Sequence, residues 1–331
     1  MVLKILLTGG AGYIGSSVAN LLIDRGHKVV VIDNLITGDR RLVPKEATLI
    51  NCDISNTKKV SEVVRGSNFD LVMHFAGLVK VEESIKYPEK YKLNNVDKTK
   101  QFFNLCLDSG LNNIIFSSTA GIYGKVLKNN EVNEMDKLDP SNPYTSSKLS
   151  IEKFLLELSS RDKINFIILR YFNVAGADEK KRSGLVSKNS NNLIKVICEV
   201  ASGKKEKIII NGEDYDTRDG STVRDFIHVS DLAEIHINVA EYLKNGGSSE
   251  IYNCGYGQGY SVKEVVAEME KIINRKLKVE IGPRRESDIP YSVANSDKFK
   301  KKFNWKPKYN NLNYILKTAL NWEKLFKWKK K

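Results

Sequence analysis

The stretch TGGAGYIG, residues 8–15, follows the short apolar run KILL and leads into an amphipathic segment over residues 16–25. It holds Gly10-x-Gly12-x-x-Gly15 and, in a second frame, Gly9-x-x-Gly12-x-x-Gly15. Glycines between a strand and a helix let the backbone turn tightly and approach a pyrophosphate. The helix N-terminus adds amide donors and a positive dipole. The pattern alone decides little, and its surroundings decide the rest. KVVVIDN is the next apolar run, and Asp33 ends it. A carboxylate there accepts hydrogen bonds from an adenosine ribose diol and repels a 2′-phosphate. The segment predicts a dinucleotide site that takes NAD rather than NADP. Asp53 and Ile54 of CDI, closing a third run, are expected at the adenine.

Working outward, KILLTG, KVVVID, TLINCD, DLVMHFAG, NIIFSS and FIILRYF are short apolar runs of the kind that form buried strands. Amphipathic segments at 16–25, 57–64, 96–108 and 146–158 separate them, and Gly26 and Gly110 stand where helices would end. Alternation of this kind predicts right-handed crossovers and an α/β fold, a Rossmann-type doubly wound parallel sheet. After about residue 175 the rhythm breaks into polar loops, GADEKKRSGLVSKNSNN and NGEDYDTRDGST, with shorter elements between. The expected organisation is a nucleotide domain over 1–175, to which segments near 225–255 return. An interleaved, smaller C-terminal substrate lobe covers 176–331.

Composition removes several classes. The 331 residues are 41% apolar and 28% charged, ordinary for a globular chain. The opening MVLKILLTGG is too short for a secretory signal, and no run approaches a membrane span, so no membrane role is expected. The four cysteines contain no CxxC pair and the four histidines are scattered. Buried thiols in a reducing cytoplasm are expected, with no metal. The net charge is +13, but lysines are spread along the chain and concentrate only in the tail FKWKKK. No nucleic-acid partner is expected.

The chemistry lies further along. FSSTAGIYG puts Ser117 and Thr119 at the carboxyl end of the fifth run, where such sheets place their sites. PYTSSK then sets Tyr144 and Lys148 one helical turn apart on one face. A phenol titrates near 10. A cationic lysine, with an oxidised nicotinamide nearby, is expected to lower the tyrosine by roughly 1–3 units and make it a general base. Lys148 can also bind the nicotinamide ribose, and Thr119 can hydrogen-bond the reacting hydroxyl.

With these motifs in place the chain resembles the extended short-chain dehydrogenase/reductases, and within them the UDP-glucose 4-epimerase family. LTGGAGYIGS, VIDNL, HFAG, NNV, SSTAGIYG, PYTSSK, RYFNVAGA, VRDFIHVSDLA, YNCGYGQGYSV and RRESDI occur in the family's order, nearly end to end. The resemblance implies retained NAD, a UDP-sugar substrate, and hydride removal from sugar C4 through a 4-keto intermediate. It implies cofactor contacts at Gly9, Gly12, Tyr13, Ile14, Gly15, Asp33, Asn34, Phe75, Ala76, Gly77, Asn94 and Tyr171. It implies substrate contacts at Asn173, Asn192, Leu193, Arg224, Arg285 and Asp288, although the prolines often flanking Asn192 are absent. Guanidinium forks suit the diphosphate. The family also pairs helices equivalent to 96–108 and 146–158 across a two-fold axis, which implies a homodimer.

Departures from the pattern carry expectations of their own. Val79 stands where some members have lysine, with Lys80 one place later, which weakens a cofactor contact there. Gly121 replaces the usual alanine or threonine and is expected to loosen the loop holding Thr119. Ala120 and Gly121 leave no acid after the threonine, which argues against dehydratase or decarboxylase chemistry. A UDP-uronate 4-epimerase and a non-catalytic NAD(H)-sensing protein of the same fold remain the alternatives. Counting from Asp288 puts the small Ser292 at the family's gate beside the sugar's C2, which opens the pocket to N-acetyl groups. A slip of one residue would put Tyr291 there instead.

Overall fold

Ile5, Leu6, Leu7 and Thr8 are all buried, because this first strand runs through the middle of a sheet with both faces covered. The computed structural model describes residues 2–124, 131–161, 163–187, 190–285 and 288–327. The end of the basic tail, 328–331, and Glu286 and Ser287 of RRESDI lie outside the described residues. From the N-terminus come β1 (Lys4–Thr8), α1 (Tyr13–Asp24), β2 (Lys28–Asp33), β3 (Thr48–Asn51), α2 (Thr57–Arg65) and β4 (Leu71–His74). Next are α3 (Val81–Lys86), α4 (Pro88–Tyr91), α5 (Lys98–Asp108), β5 (Asn113–Thr119), α6 (Pro143–Ser159) and β6 (Asn165–Tyr171). Then follow β7 (Asn173–Ala175), α7 (Leu193–Ala201), β8 (Ile208–Asn211), β9 (Val223–His228), α8 (Val229–Lys244) and β10 (Glu250–Cys254). The chain ends with β11 (Gly259–Ser261), α9 (Val262–Ile273), β12 (Val279–Gly282), β13 (Tyr291–Ser292), α10 (Asp297–Phe303) and α11 (Leu312–Leu325).

These elements fall into two units. The first comprises Met1–Gly124, Lys137–Tyr171 and Ala233–Tyr252, and the second Lys125–Asp136, Phe172–Leu232 and Asn253–Lys331. The first is built on a seven-stranded sheet in the order β10-β6-β5-β4-β1-β2-β3. Its β1–β2, β1–β4, β2–β3, β4–β5 and β5–β6 pairs are parallel. The order reverses at β1, where the chain moves from building toward β3 to building toward β6. That is the expected doubly wound, Rossmann-type arrangement, and its sites lie beyond the carboxyl ends of the strands. On one face Phe102, Phe103 and Cys106 of α5 and Ile151 and Leu155 of α6 close over Ile114, Phe116 and Ile168.

The second unit holds a small sheet, β11-β9-β13, with β7 also paired to β9, and a parallel β8–β12 pair. Asp225 of β9 is fully buried and accepts backbone N–H bonds from Tyr256 (3.0 Å), Gly257 (2.9 Å) and Ala294 (3.2 Å). It thereby ties the chain after β10 and after β13 to the central strand. Burial pushes its carboxyl up to about 6 despite those donors.

Candidate active site

The glycine loop has no room for side chains where it turns. Gly9 has φ +73, and a Cβ there would lie 2.5 Å from the Ala76 amide nitrogen. A Cβ on Gly15 would lie 2.4 Å from the Gly9 carbonyl oxygen. Helix α1, opening with Tyr13 and Ile14, has Gly12 as its N-cap and no side-chain cap. Its first amides thus face outward from a bare cradle, a fit to a pyrophosphate. Asp33 stands beside it, accepting from the Ala11 amide (2.9 Å) and the Leu35 amide (2.8 Å). A carboxylate has about four acceptor positions, so two remain for a ribose diol. Burial raises its carboxyl above the ordinary range.

Asp53, expected at the adenine, is tied to its own neighbours as well. Its carboxylate accepts from Asn34 Nδ2 (3.0 Å), Lys98 Nζ (3.0 Å), the Ser55 amide (3.0 Å) and Ser55 Oγ (2.6 Å). Burial alone would raise its carboxyl, but the hydrogen bonds of Ser55, Lys98 and Asn34 hold it well below the usual range. These bonds brace Asn34 at the end of β2, and Ile54 beside Asp53 is buried.

At the carboxyl end of β4 the chain runs through Phe75, Ala76 and Gly77. The Phe75 ring lies 5.0 Å from the His236 ring, and Tyr171 shares a 2.7 Å hydrogen bond with His236 Nε2. A Cβ on Gly77 would sit 3.5 Å from Asn95 Oδ1 and 3.7 Å from Lys148 Nζ, so the backbone here passes close to the lysine. Asn94 donates to Asn95 Oδ1 (3.0 Å). Asn95, which the sequence did not single out, holds both backbone groups of Leu78 and donates to Ser147 Oγ (3.2 Å), pinning this loop to α6. Val79 and Lys80 are exposed.

The chemistry end is assembled by α6. Asn142 caps it, in a reciprocal capping box with Thr145, and Pro143 occupies its first turn. This fixes the turn on which half-buried Tyr144 and buried Lys148 stand. The Thr119 side chain is near enough to the Tyr144 phenol to lower it by hydrogen bonding. Lys148 Nζ donates to the Ser117 carbonyl (2.8 Å) and lies 5.0 Å above the Phe116 ring. Burial lowers the Lys148 ammonium to about 8, with Glu152 opposing. The lowered tyrosine expected from the sequence is not met in the protein alone. Burial pushes Tyr144 up to about 12, against the hydrogen bond from Thr119. In the protein alone the ammonium is engaged by the Ser117 carbonyl, and a bound cation such as an oxidised nicotinamide would lower the phenol.

Gly121 also departs from its expectation. A Cβ there would lie 2.7 Å from Thr145 Cγ2, so the methyl of Thr145 already fills that space. The Gly121 amide donates to Thr119 Oγ1 (3.2 Å). The turn after Thr119 is packed rather than loosened.

The remaining candidates lie in the second unit. In the parallel register β13–β9, Ser292 is opposite Arg224 and Tyr291 opposite Val223; in β7–β9, Asn173 is opposite Phe226. Alternation along β9 therefore puts Asn173, Arg224 and Ser292 on one face and Tyr291 on the other. Arg224 Nη1 donates to the carbonyls of Val223 (2.9 Å) and Ile289 (2.9 Å), and Asp288 stands 3.8 Å from its guanidinium. Asn192 caps α7 by accepting from the Lys195 amide (3.2 Å), which makes Leu193 the first helical residue. Arg285 is exposed, while its neighbour Arg284 lies 4.3 Å above the Tyr215 ring.

Comparison with known proteins follows the same line. Residues 5–255 match the NAD dependent epimerase/dehydratase family. A UDP-glucose 4-epimerase of Azospirillum brasilense is 40% identical over 321 residues, covering 97% of this chain and 92% of that protein. The solved UDP-glucose 4-epimerase of Bifidobacterium longum, in complex with NAD+ and UDP, superposes with a TM-score of 0.91 at 33% identity, over 97% of this chain and 98% of that one. The UDP-Glc/GlcNAc 4-epimerase of Campylobacter jejuni gives a TM-score of 0.84 at 39% identity, over 97% and 99% of the two chains.

Proposed function

The chain belongs to the NAD dependent epimerase/dehydratase family, and we propose that Thr119, Tyr144 and Lys148 carry an NAD-dependent inversion at C4 of UDP-glucose and UDP-galactose. The observation that carries this reading is the meeting of Thr119 and Tyr144 beside Lys148, in the unit that holds the bare glycine cradle. NAD, which the Gly9–Gly15 loop and Asp33 would hold, would supply hydride exchange at sugar C4. Tyr144 accepts the proton of the C4 hydroxyl as the hydride leaves and gives it back on return. Thr119 hydrogen-bonds that hydroxyl and holds the phenol toward it. Lys148 keeps a positive charge beside the phenolate and offers donors to the cofactor ribose. Asn173, Arg224 and Ser292 face the sugar nucleotide, the guanidinium serving the diphosphate.

The test is to incubate the purified protein with UDP-galactose, UDP-glucuronate and UDP-N-acetylgalactosamine without added NAD, and to separate the products. UDP-glucose should form, and denatured protein should release a nicotinamide dinucleotide. No product, or activity only with stoichiometric NADP, would overturn the reading.

The register that sets the small Ser292 beside Arg224 supports a wider substrate range, including the N-acetylhexosamine pair. Ser292→Tyr should abolish N-acetyl turnover and spare UDP-glucose; equal slowing of both would remove Ser292 as the gate. We further propose that the enzyme is a homodimer joined through α5 and α6. On α6 Leu156 is 47% exposed, an apolar side chain facing outward from a helix that already has its buried face. Four buried free cysteines, Cys52, Cys106, Cys198 and Cys254, support work in a reducing cytoplasm.

A further inference from the structure

Two helical turns beyond Tyr144 and one beyond Lys148, α6 carries Glu152, a carboxylate that is 1% exposed. Arg170 of β6, 2% exposed, reaches it with Nη2 at 2.7 Å and Nε at 3.2 Å. Ser118 of β5, the residue before Thr119, donates its hydroxyl to the same carboxylate. Arg170 Nη1 in turn donates to the Tyr123 hydroxyl at 2.8 Å, at the end of the turn that follows Thr119. The network therefore grips the strand just before Thr119, the turn just after it, and β6 one residue before Tyr171.

An ion pair this deeply buried is weak evidence of stabilisation, because desolvating two charges offsets most of their attraction. It does impose one arrangement. Every bond of Glu152 runs from α6 to another element, so the carboxylate sets how far α6 is slid and rotated against β5 and β6. Tyr144 and Lys148 lie on the same helical stripe at spacings of four and eight. A shift of α6 would carry the phenol away from Thr119 and the ammonium away from the Ser117 carbonyl together.

We propose that Glu152 is a positioning residue for the reaction: through Ser118 and Arg170 it holds α6 in the register that brings Tyr144 to Thr119, and it keeps Lys148 in its charged form. This rests on the reading of Tyr144 and Lys148 given above. Among the described residues, the charged and titratable groups around Lys148 are few and come from three elements. His74 approaches from β4, Arg170 stands behind Glu152 on β6, and Tyr144 and Glu152 share α6. The β5 side supplies only the Ser117 carbonyl and the Phe116 ring. His74 is held neutral by burial, with Lys148 itself acting in the same direction. Glu152 is thus the anion that favours the ammonium.

The experiment is Glu152→Gln, which keeps the shape and removes the charge, and Glu152→Asp, which keeps the charge and shortens the reach. Both are measured as holoenzyme across pH beside wild type and Tyr144→Phe. In Glu152→Gln, kcat should fall about 10- to 100-fold with KM for the UDP-sugar little changed. The alkaline limb, where Lys148 loses its proton, should move down by about one pH unit. Glu152→Asp should lose kcat but keep the wild-type limb. If Glu152→Gln does not fold, Glu152→Gln/Arg170→Gln removes the unpaired buried charge, and a folded, NAD-loaded double variant should still lose at least about tenfold in kcat. Wild-type kcat and an unmoved limb in folded Glu152→Gln, or wild-type kcat in the double variant, overturns the proposal. An inactive Tyr144→Phe beside a normal Glu152→Gln defeats this inference alone, whereas a fully active Tyr144→Phe defeats the reading of the site beneath it.

Discussion

A phenol pushed up to about 12 by burial is a poor base until something cationic arrives, and at this site the cofactor is that cation. Tyr144→Phe should therefore lose about 10²–10⁴-fold in kcat while substrate binding stays close to wild type, because it removes a proton acceptor and little contact area. Steady-state kinetics against a binding titration checks it; a loss confined to KM would contradict it. Gly121 gives a second prediction. In Gly121→Ala the new methyl meets Thr145 Cγ2, and overpacking of this kind costs about 1–3 kcal/mol. Thr145→Ser removes that methyl and keeps the hydroxyl of the capping box. Gly121→Ala should lower both melting temperature and kcat, and the double variant should recover most of each. Strictly additive effects would separate the two positions. The sequence made the Tyr144–Lys148 pair legible, since a four-residue spacing is a local property of a helix. It hid Asn95 and Glu152, whose partners Ser147 and Arg170 come from other elements. It could not show that Tyr144 is raised in the protein alone, because burial and the Ser117 carbonyl cannot be read from residue types.

Among the elements, β4 shows what a buried histidine does to a sheet. His74 shares hydrogen bonds with Thr8 of β1 (2.8 Å) and Thr99 of α5 (3.2 Å), and sits among Phe102, Phe103 and Phe116. Burial lowers it from 6.5 to about 3, with Lys148 adding to the effect. Between those values the unfolded chain binds a proton that the folded chain does not. Stability accordingly rises with pH across that window, and is lost as pH falls from 6.5 toward 3 by about 1.4 kcal/mol per unit for one such proton. His74→Gln should flatten the pH dependence of the urea midpoint between roughly pH 4 and 6.5 by one proton's worth. Equal slopes in variant and wild type would remove His74 as the cause. The parallel strands of this sheet were legible because both faces are covered, which leaves near-continuous apolar runs. The second unit was less so. Its β7, β11 and β13 are three, three and two residues long, too short to carry any periodicity.

For the whole molecule, the homodimer is the prediction with the plainest outcome. Light scattering at micromolar concentration should give twice the chain mass of 37.4 kDa. Leu156→Lys should shift the population toward the single chain, since a charge placed in an apolar contact must be desolvated. A wild-type mass of one chain would end the proposal.

Each unit is threaded from three separate lengths of chain, and the two threadings alternate. No single cut releases either unit whole. The molecule cannot acquire a new substrate lobe as a cassette through recombination, so its sugar preference has to drift by point substitution within the existing lobe. Vectorial synthesis meets the same topology. The nucleotide-binding sheet still lacks its β10 edge until the ribosome has passed residue 254, by which point β7, β8 and β9 of the second unit have been made but β11, β12 and β13 have not. Neither unit has its full chain until residue 252 has been made, so neither can finish folding early in synthesis.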